Sequence, residues 1–487
     1  MRFVALAASF DGTLARDGRY EERCVDALRA LAATGRKLIL VTARELRELL
    51  EIFPAARVFD YVIAENGAVL HQPATRRSEI LAQAPSELLL RELNRRGVMP
   101  LTVGSSIITT PLTNEAAVHD VIDRLRLECQ LVANDGMLIV LPAEVSKATG
   151  VNEALRQLGI SAQNLVVIGD AQNDLALFRL AEHAVAVQNA DQAVKSCADR
   201  TTVGAYCDGF LELARDLMEG DLPYAQPKRL IVLGTLADGK TLTLAPYYDS
   251  LLICGPRGSG KAALCDEVFE QLLANGYQCC VIGASPESRT RAYPGLRVYG
   301  DSNDAPRLTE VIAALEQPTT SVTLNLAALP VESRAIFVDA LLLQLQALHD
   351  RAGRPHTLII QDARGVLNGA ALPGSLTRLS EMTRVYVSDE ADRLPTELLE
   401  DVGTAIALGD ARVPRQFAEF GSTSSMVLRA DGITAGSSRA RAWVRAERHL
   451  NRTPDQATAD DAECGISRSR DCDGVSLSSD EVSSLSG

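Results

Sequence analysis

What most constrains this chain is an alternation. Short aliphatic runs end in polar, glycine-bearing turns, and each is followed by a stretch with helical periodicity. "FVALAAS" leads to "EERCVDALRALAATG" and then to "KLILVTA". Unbroken apolar runs suit strands buried on both faces, and the order strand, helix, strand predicts a parallel α/β layer structure. The same alternation resumes near Arg229, with "DSLLICGPRGSGK", "AALCDEVFEQLLANG" and "YQCCVIGA". A length of 487 residues accommodates two or three such domains. Between the two α/β regions, residues 219–228 ("EGDLPYAQPK") carry Pro223 and Pro227 and predict a linker. The last 37 residues, 451–487, are Ser/Asp-rich with almost no large apolar side chains. Such a segment cannot bury enough surface to offset its ordering entropy, so a disordered tail is expected.

Net charge is −14, which argues against a surface built for nucleic acid or anionic membrane. The strongest local exception is "SSRARAWVRAERHLNR", with Arg439, Arg441, Arg445, Arg448 and Arg452, read as a solvated helix face. Ten cysteines show neither CxxC pairs nor a disulfide framework, which suits a reducing cytosol and a cytoplasmic location. No uncharged apolar run reaches the roughly 18–20 residues that span a bilayer, so no membrane partner is expected.

Four pieces of the first region fit one phosphate-handling crevice. Ser9, Asp11, Gly12 and Thr13 follow the first apolar strand. Thr42 ends "LILVT". Lys147 lies in "PAEVSKATGV". Gly169, Asp170, Asn173 and Asp174 follow "LVVI". Loops at the carboxyl ends of parallel strands converge on one crevice. Asp170 and Asp174, four apart, can reach one point, and their oxygens are ligands that Mg²⁺ prefers. Thr42 and Lys147 can bind phosphate oxygens, and Asp11 can act as general acid or base. Singly, each piece has a plainer use as a turn, a strand residue, a surface lysine or a helix start.

On "SFDGTL", "LVTAR", "VSKATGV" and "GDAQNDLALF", residues 1–218 resemble the haloacid dehalogenase superfamily of aspartate-nucleophile phosphatases. "FDYVIAENGAVL" and "AVAVQNA" point to its Cof-type and sucrose-phosphate-phosphatase-like branch. The resemblance implies a Rossmann-like core over 1–77 and 143–218 and an α/β cap inserted over 78–142. It also implies a small phosphorylated metabolite as ligand. Mg²⁺ would be held by Asp170, Asp174 and the Asp11 backbone carbonyl, with Gly12 and Asn173 beside the phosphate. The departure is Ser9, which stands where the family has its nucleophilic, metal-binding aspartate. A serine hydroxyl is neutral and cannot form an aspartyl-phosphate. It also removes one negative ligand, and as a nucleophile it needs an adjacent base. Impaired or absent phosphatase turnover is therefore expected.

The second region carries "GPRGSGKA", Gly255 to Ala262, between an apolar strand and a helical stretch. Gly255, Gly258, Ser259 and Gly260 let backbone N–H groups wrap phosphates, and Lys261 adds charge. Ala262 stands where a Ser or Thr would bind Mg²⁺. Residues 229–421 resemble HerA/FtsK-type P-loop ATPases, in which a strand ends in an acid pair. The resemblance puts Gln361 and Asp362 at that pair, whereas local pattern favours Asp389 and Glu390. A P-loop NTPase-like α/β domain over 229–450 that binds ATP or GTP weakly and hydrolyses little is expected. The resembled ATPases often form rings, so a homo-oligomer is compatible with this region. Two readings compete: an impaired phosphatase with a fused nucleotide-binding domain, and a non-catalytic phospho-ligand or nucleotide sensor. A nucleic-acid motor is disfavoured by the acidic balance and by Ala262 and Gln361.

Overall fold

The computed structural model describes residues 1–134, 136–222, 225–235, 241–284, 293–367, 379–408 and the backbone of 442–446. The expected disordered tail lies outside the described residues.

The first α/β unit opens with β1 (Ala5–Ser9), a small hairpin of β2 (Ala15–Arg16) and β3 (Arg19–Tyr20), and α1 (Glu22–Ala33). Then come β4 (Lys37–Val41), α2 (Leu46–Ile52), β5 (Tyr61–Ala64), β6 (Val69–Gln72) and β7 (Arg77–Ile80). The chain leaves the sheet for α3 (Glu87–Arg95), β8 (Thr102–Val103), β9 (Ile108–Pro111), α4 (Glu115–Leu125), β10 (Cys129–Asn134) and β11 (Met137–Pro142). It returns through α5 (Lys147–Leu158), β12 (Leu165–Gly169), α6 (Leu175–Leu180), β13 (His183–Ala186), α7 (Gln192–Cys197), β14 (Arg200–Thr201) and α8 (Tyr206–Gly220).

The core sheet runs β14-β13-β12-β1-β4-β5-β6-β7. Its strands are parallel from β14 to β5, and β6 and β7 add antiparallel. β1 and β12 are buried at every position, which their uninterrupted apolar sequences dictate. Cys24, Val25, Leu28 and Leu31 of α1 form one apolar face at helical spacing, and α8 buries Phe210, Leu213 and Leu217 in the same core. The inserted segment makes a separate sheet, β10-β11-β9-β8, with its own small core of Leu89, Leu93, Val118, Val121 and Leu138. Because β7 pairs with β6, the core sheet extends to Ile80, slightly past the expected cap boundary.

The second unit holds β15 (Ile231–Thr235), β16 (Thr241–Leu244), β17 (Ser250–Cys254), α9 (Lys261–Ala274), β18 (Cys279–Gly283) and β19 (Leu296–Tyr299). It continues with α10 (Leu308–Leu315), β20 (Ser321–Asn325), α11 (Val331–Ala352), β21 (Thr357–Ile360) and α12 (Ala363–Leu367). β22 (Thr383–Ser388), β23 (Thr404–Leu408) and β24 (Ala442–Ala446) complete it. Its main sheet is parallel throughout, in the order β19-β20-β18-β21-β22-β17-β23-β24. β24 corrects one expectation: within the arginine-rich segment, Ala442–Ala446 is a strand rather than part of a helix face. Pairing with β23 at the sheet edge supplies the backbone hydrogen bonds that override local helical pattern.

The two units meet through the residues that precede their strands. Asn164, just before β12, donates to the Gly353 carbonyl at 3.1 Å and accepts from His356 Nε2 at 3.1 Å. Glu182, fully buried before β13, accepts from the Tyr247 and Tyr277 hydroxyls and pairs with Arg229 at 2.8 Å. The Arg2 guanidinium lies 3.2 Å from the centre of the Tyr247 ring, and Arg354 donates to the Gly159 carbonyl at 2.6 Å. All these groups sit at amino ends of strands or beside them, so the sheets join back to back and their carboxyl-end loops face opposite ways. Two residues of the segment expected as a linker contact the first unit. Leu222 is buried in the first core, and Lys228 donates to the Phe178 and Ala181 carbonyls.

Among the described residues, seven cysteines are free thiols. Among the described residues, no helix is long and apolar enough to cross a membrane.

Candidate active site

β1, β4 and β12 are neighbours in the sheet, so the loops that leave their carboxyl ends share one crevice. Ser9 is the last residue of β1 and is buried. Its Oγ accepts from Lys147 Nζ at 3.2 Å. Lys147 starts α5, whose first turn is fixed by a capping box between Ser146 and Thr149. The ammonium also donates to Asn173 Oδ1 at 3.0 Å and to Asp174 Oδ1 at 2.6 Å. Asp174 is fully buried, and its Oδ2 accepts from the Asp170 and Ala171 backbone N–H groups at 3.0 and 3.2 Å. Lysine and backbone together satisfy a carboxylate that would otherwise be costly to bury.

Among the described residues, no cation pairs directly with Asp170. It accepts from Thr13 Oγ1 at 2.8 Å, while burial, with the Asp174 charge next, pushes its carboxyl up to about 7. Gly12 has φ +74°, and a Cβ there would lie 1.9 Å from Asp170 Oδ2, so only glycine lets the β1 loop approach that carboxylate. Asn189 holds the same loop by donating to the Gly12 carbonyl at 2.8 Å. Thr42 is buried after β4, and its Oγ1 accepts from the Arg44 N–H at 3.1 Å.

Several residues in this crevice were given no role by the sequence. Arg44 grips Asp11 through both carboxylate oxygens, at 2.7 and 2.8 Å, and the pair raises the guanidinium above its ordinary range. The candidate acid–base group is thus committed to an ion pair. Glu65 and Asn66 both adopt left-handed backbone, with φ of 50° and 55°. Asn66 Oδ1 accepts from Asn173 Nδ2 at 3.2 Å. "LVTAR" and "AENGA" contain these residues, but nothing in their spacing announces the contacts. Only the fold brings them beside Asp11 and Asn173.

A divalent cation fits the charge distribution at Asp170, where two carboxylates share a site and one positive side chain answers only Asp174. The donor set is thin, because Ser9 supplies a neutral hydroxyl. Among the described residues no group of three or more His, Cys, Asp or Glu stands ready to hold a metal.

The glycine loop of the second unit joins β17 to α9. Gly258 and Gly260 have φ of 81° and 95°, as a tight loop at a helix start requires. Gly255 is buried against the Leu408 carbonyl, and Ser259 Oγ is buried without a hydrogen-bond partner among the described residues. Lys261 donates back to the Gly255 and Pro256 carbonyls and pairs with Asp389 at 2.9 Å. Ala262 follows as an exposed helical residue. Gln361 follows β21, with its amide 3.9 Å from Cys265 Sγ. Asp362 has φ of 51° and accepts from the Gly365 N–H at 3.2 Å, and burial raises its carboxyl. Of the candidate acids, Asp389 touches Lys261, while Glu390 pairs with Arg393.

The first unit is thus an α/β core of Rossmann-like type in which three strand-end loops and the start of α5 gather on one crevice. Residues 6–89 and 113–213 match the family of haloacid dehalogenase-like hydrolases. A phosphoglycolate phosphatase of Halobacterium salinarum is 30% identical over 222 residues, spanning 42% of this chain and 93% of that protein. One from Methanothermobacter thermautotrophicus is 28% identical over 221 residues, spanning 44% and 98%. Among solved structures, a HAD/COF-like hydrolase of Plasmodium vivax aligns at 16% identity with a TM-score of 0.40, covering 45% of this chain and 96% of that one. The chain belongs to the haloacid dehalogenase-like hydrolase family through this first unit.

Proposed function

We propose that the first unit binds a small phosphomonoester and turns it over poorly or not at all. One observation carries this reading. The Lys147 ammonium reaches Ser9, Asn173 and Asp174 at once, so a phosphate-binding cation sits directly on a nucleophile position that has lost its acid. Lys147 and Thr42 would hold phosphate oxygens. Asp170, Asp174 and the Asp11 carbonyl would hold Mg²⁺, which when bound would offset phosphoryl charge. Ser9 has no base: its hydroxyl faces an ammonium, and Asp11 is held by Arg44. Phosphoglycolate is the first ligand to test, because the relatives of M. thermautotrophicus and H. salinarum are phosphoglycolate phosphatases.

The test pairs wild type with Ser9→Asp in a phosphate-release assay containing Mg²⁺. Turnover that rises at least about a hundredfold in the variant is expected, since restoring a nucleophile is worth orders of magnitude. Equal turnover in both proteins would sink this reading and call for another nucleophile.

A second reading, nucleotide binding by the glycine loop, is favoured by sheet order. β22 separates β17, which carries the loop, from β21, which carries Gln361 and Asp362. Acids after both β21 and β22 could therefore lie across from Lys261. Binding is expected to be weak, with little hydrolysis, because Ala262 removes a metal ligand. A melting temperature raised by an ATP or GTP analogue in wild type but not in Lys261→Ala supports binding, and no difference between the two removes it.

A further inference from the structure

The cap rests on the core through a thin apolar seam of Ala68, Ile107, Ile139, Leu141 and Val145. A polar contact crosses the same boundary. The Glu65 carboxylate is fully buried, and its two oxygens accept from the backbone N–H groups of Ser105 and Ser106 in the cap, each at 2.9 Å. Two successive amides turned toward one carboxylate form an anion-binding concavity. Gly104 makes the approach possible, since a Cβ there would stand 2.7 Å from the Glu65 Oε2.

The turn that presents Glu65 is held in a costly conformation. Glu65 and Asn66 are both left-handed without being glycine, and such backbone persists where its surroundings impose it. The imposing contacts lead to the phosphate pocket. The Glu65 N–H donates to the Arg44 carbonyl at 2.9 Å, and the Asn66 N–H to the Thr42 carbonyl at 3.0 Å. The Asn66 side chain accepts from Asn173, which in turn accepts from Lys147. One end of the turn therefore binds the cap, and the other braces the loops of Thr42, Arg44 and Asn173.

We propose that Glu65 is the latch that holds the cap closed over the crevice, and that the Glu65–Asn66 turn makes cap position felt at Lys147. This rests on the phosphate-site reading above for its purpose, though not for its geometry. Ser9, Thr42, Lys147 and Asp174 are all buried with the latch made, so a ligand reaches them when the cap lifts. Glu65 is a positioning residue: it touches the cap and the loops, not the phosphate.

Amide hydrogen exchange on the full chain, without ligand, tests the latch. Three proteins are compared: wild type, Glu65→Ala and Gly104→Ala. The second variant attacks from the cap side, where the new methyl must displace the carboxylate, and it keeps the test alive if Glu65→Ala does not fold. Exchange at Ser105 and Ser106 should rise by roughly ten- to a hundredfold in both variants, as loss of charge-assisted hydrogen bonds predicts. Exchange in β1 and β4 should stay within about twofold of wild type on the same footing, because the latch opens locally. Unchanged protection of Ser105 and Ser106 in either folded variant overturns the proposal. So does an equal rise throughout β1 and β4, which would make Glu65 a general stabiliser. Orthovanadate is then titrated into each protein as a phosphate mimic. No binding to any of them counts against the phosphate reading, while the latch stands or falls on exchange alone.

Discussion

At the scale of single residues, the crevice is governed by which charge answers which. Lys147 and Asp174 are 3% and 0% exposed, so neither can fall back on water if its partner goes. Lys147→Ala should lower unfolding free energy by about 3–5 kcal/mol, the cost of stranding a buried charge, measured as the urea midpoint near pH 7. Lys147→Ala with Asp174→Asn should recover part of that loss, because the amide carries no charge to strand. A single variant as stable as wild type would mean that the pair is hydrated in solution. The same logic separates Asp11 from Asp170. Asp11 has a guanidinium clamped across it, while Asp170 has, among the described residues, a hydroxyl and a neighbouring carboxylate. The residue types at these positions were plain in the sequence. Their assignment was not, because Lys147 and Asp174 are 27 residues apart and Arg44 and Asp11 are 33 apart. Nothing local chooses between a lysine that binds an aspartate and one that waits for phosphate.

At the scale of elements, the junction between β5 and α5 sets where Lys147 points. Gly67 has φ +114°, and a Cβ on it would lie 1.9 Å from the carbonyl oxygen of Ser146, the N-cap of α5. Gly67→Ala must move that helix start or the strand-end turn. A loss of about 2–4 kcal/mol is expected, from backbone strain and clash together, and thermal or urea unfolding reads it. The crevice should loosen with it, since α5 carries the lysine. Elements such as β1, α1 and β12 were legible from periodicity alone, because their apolar faces leave one solution. β24 was not. Its segment is rich in arginine and suits a helix locally, and only an unfilled sheet edge beside β23 makes it a strand.

At the scale of the whole molecule, the two units share one buried polar interface, and that interface dislikes acid. His356 is a neutral imidazole there: its Nδ1 accepts from the Gln278 N–H at 2.8 Å while Nε2 faces Asn164 Oδ1. Burial lowers its pKa to about 3, and lowers that of His183, on the first unit's side, to about 4. In the unfolded chain each imidazole titrates near 6.5. Between those values the unfolded state binds more protons, so stability is full above about pH 6.5 and falls as pH drops. The slope should approach about 1.4 kcal/mol per pH unit for each histidine. Urea midpoints from pH 7 to pH 5 measure it, and His356→Gln should flatten the curve. A midpoint independent of pH in that window would show that the interface opens before it unfolds. The back-to-back union has a second consequence. The crevice around Lys147 and the glycine loop around Lys261 lie at the carboxyl ends of two sheets whose amino ends meet. Any influence of one site on the other must travel through the interface or through a second molecule.

The sequence by itself determined two parallel α/β units, the strands that carry their loops, and the chemistry available at each loop, because apolar periodicity and residue type are local properties. It also carried a serine at position 9 and an alanine at position 262, where the resemblances imply an acid and a hydroxyl. Only the tertiary structure decided that Arg44 occupies Asp11, that Lys147 sits between Ser9 and Asp174, that Glu65 joins cap to core, and that the units stand back to back. Each of those facts is a pairing between groups distant along the chain, and burial and hydrogen-bond satisfaction choose such partners only once the whole chain is folded.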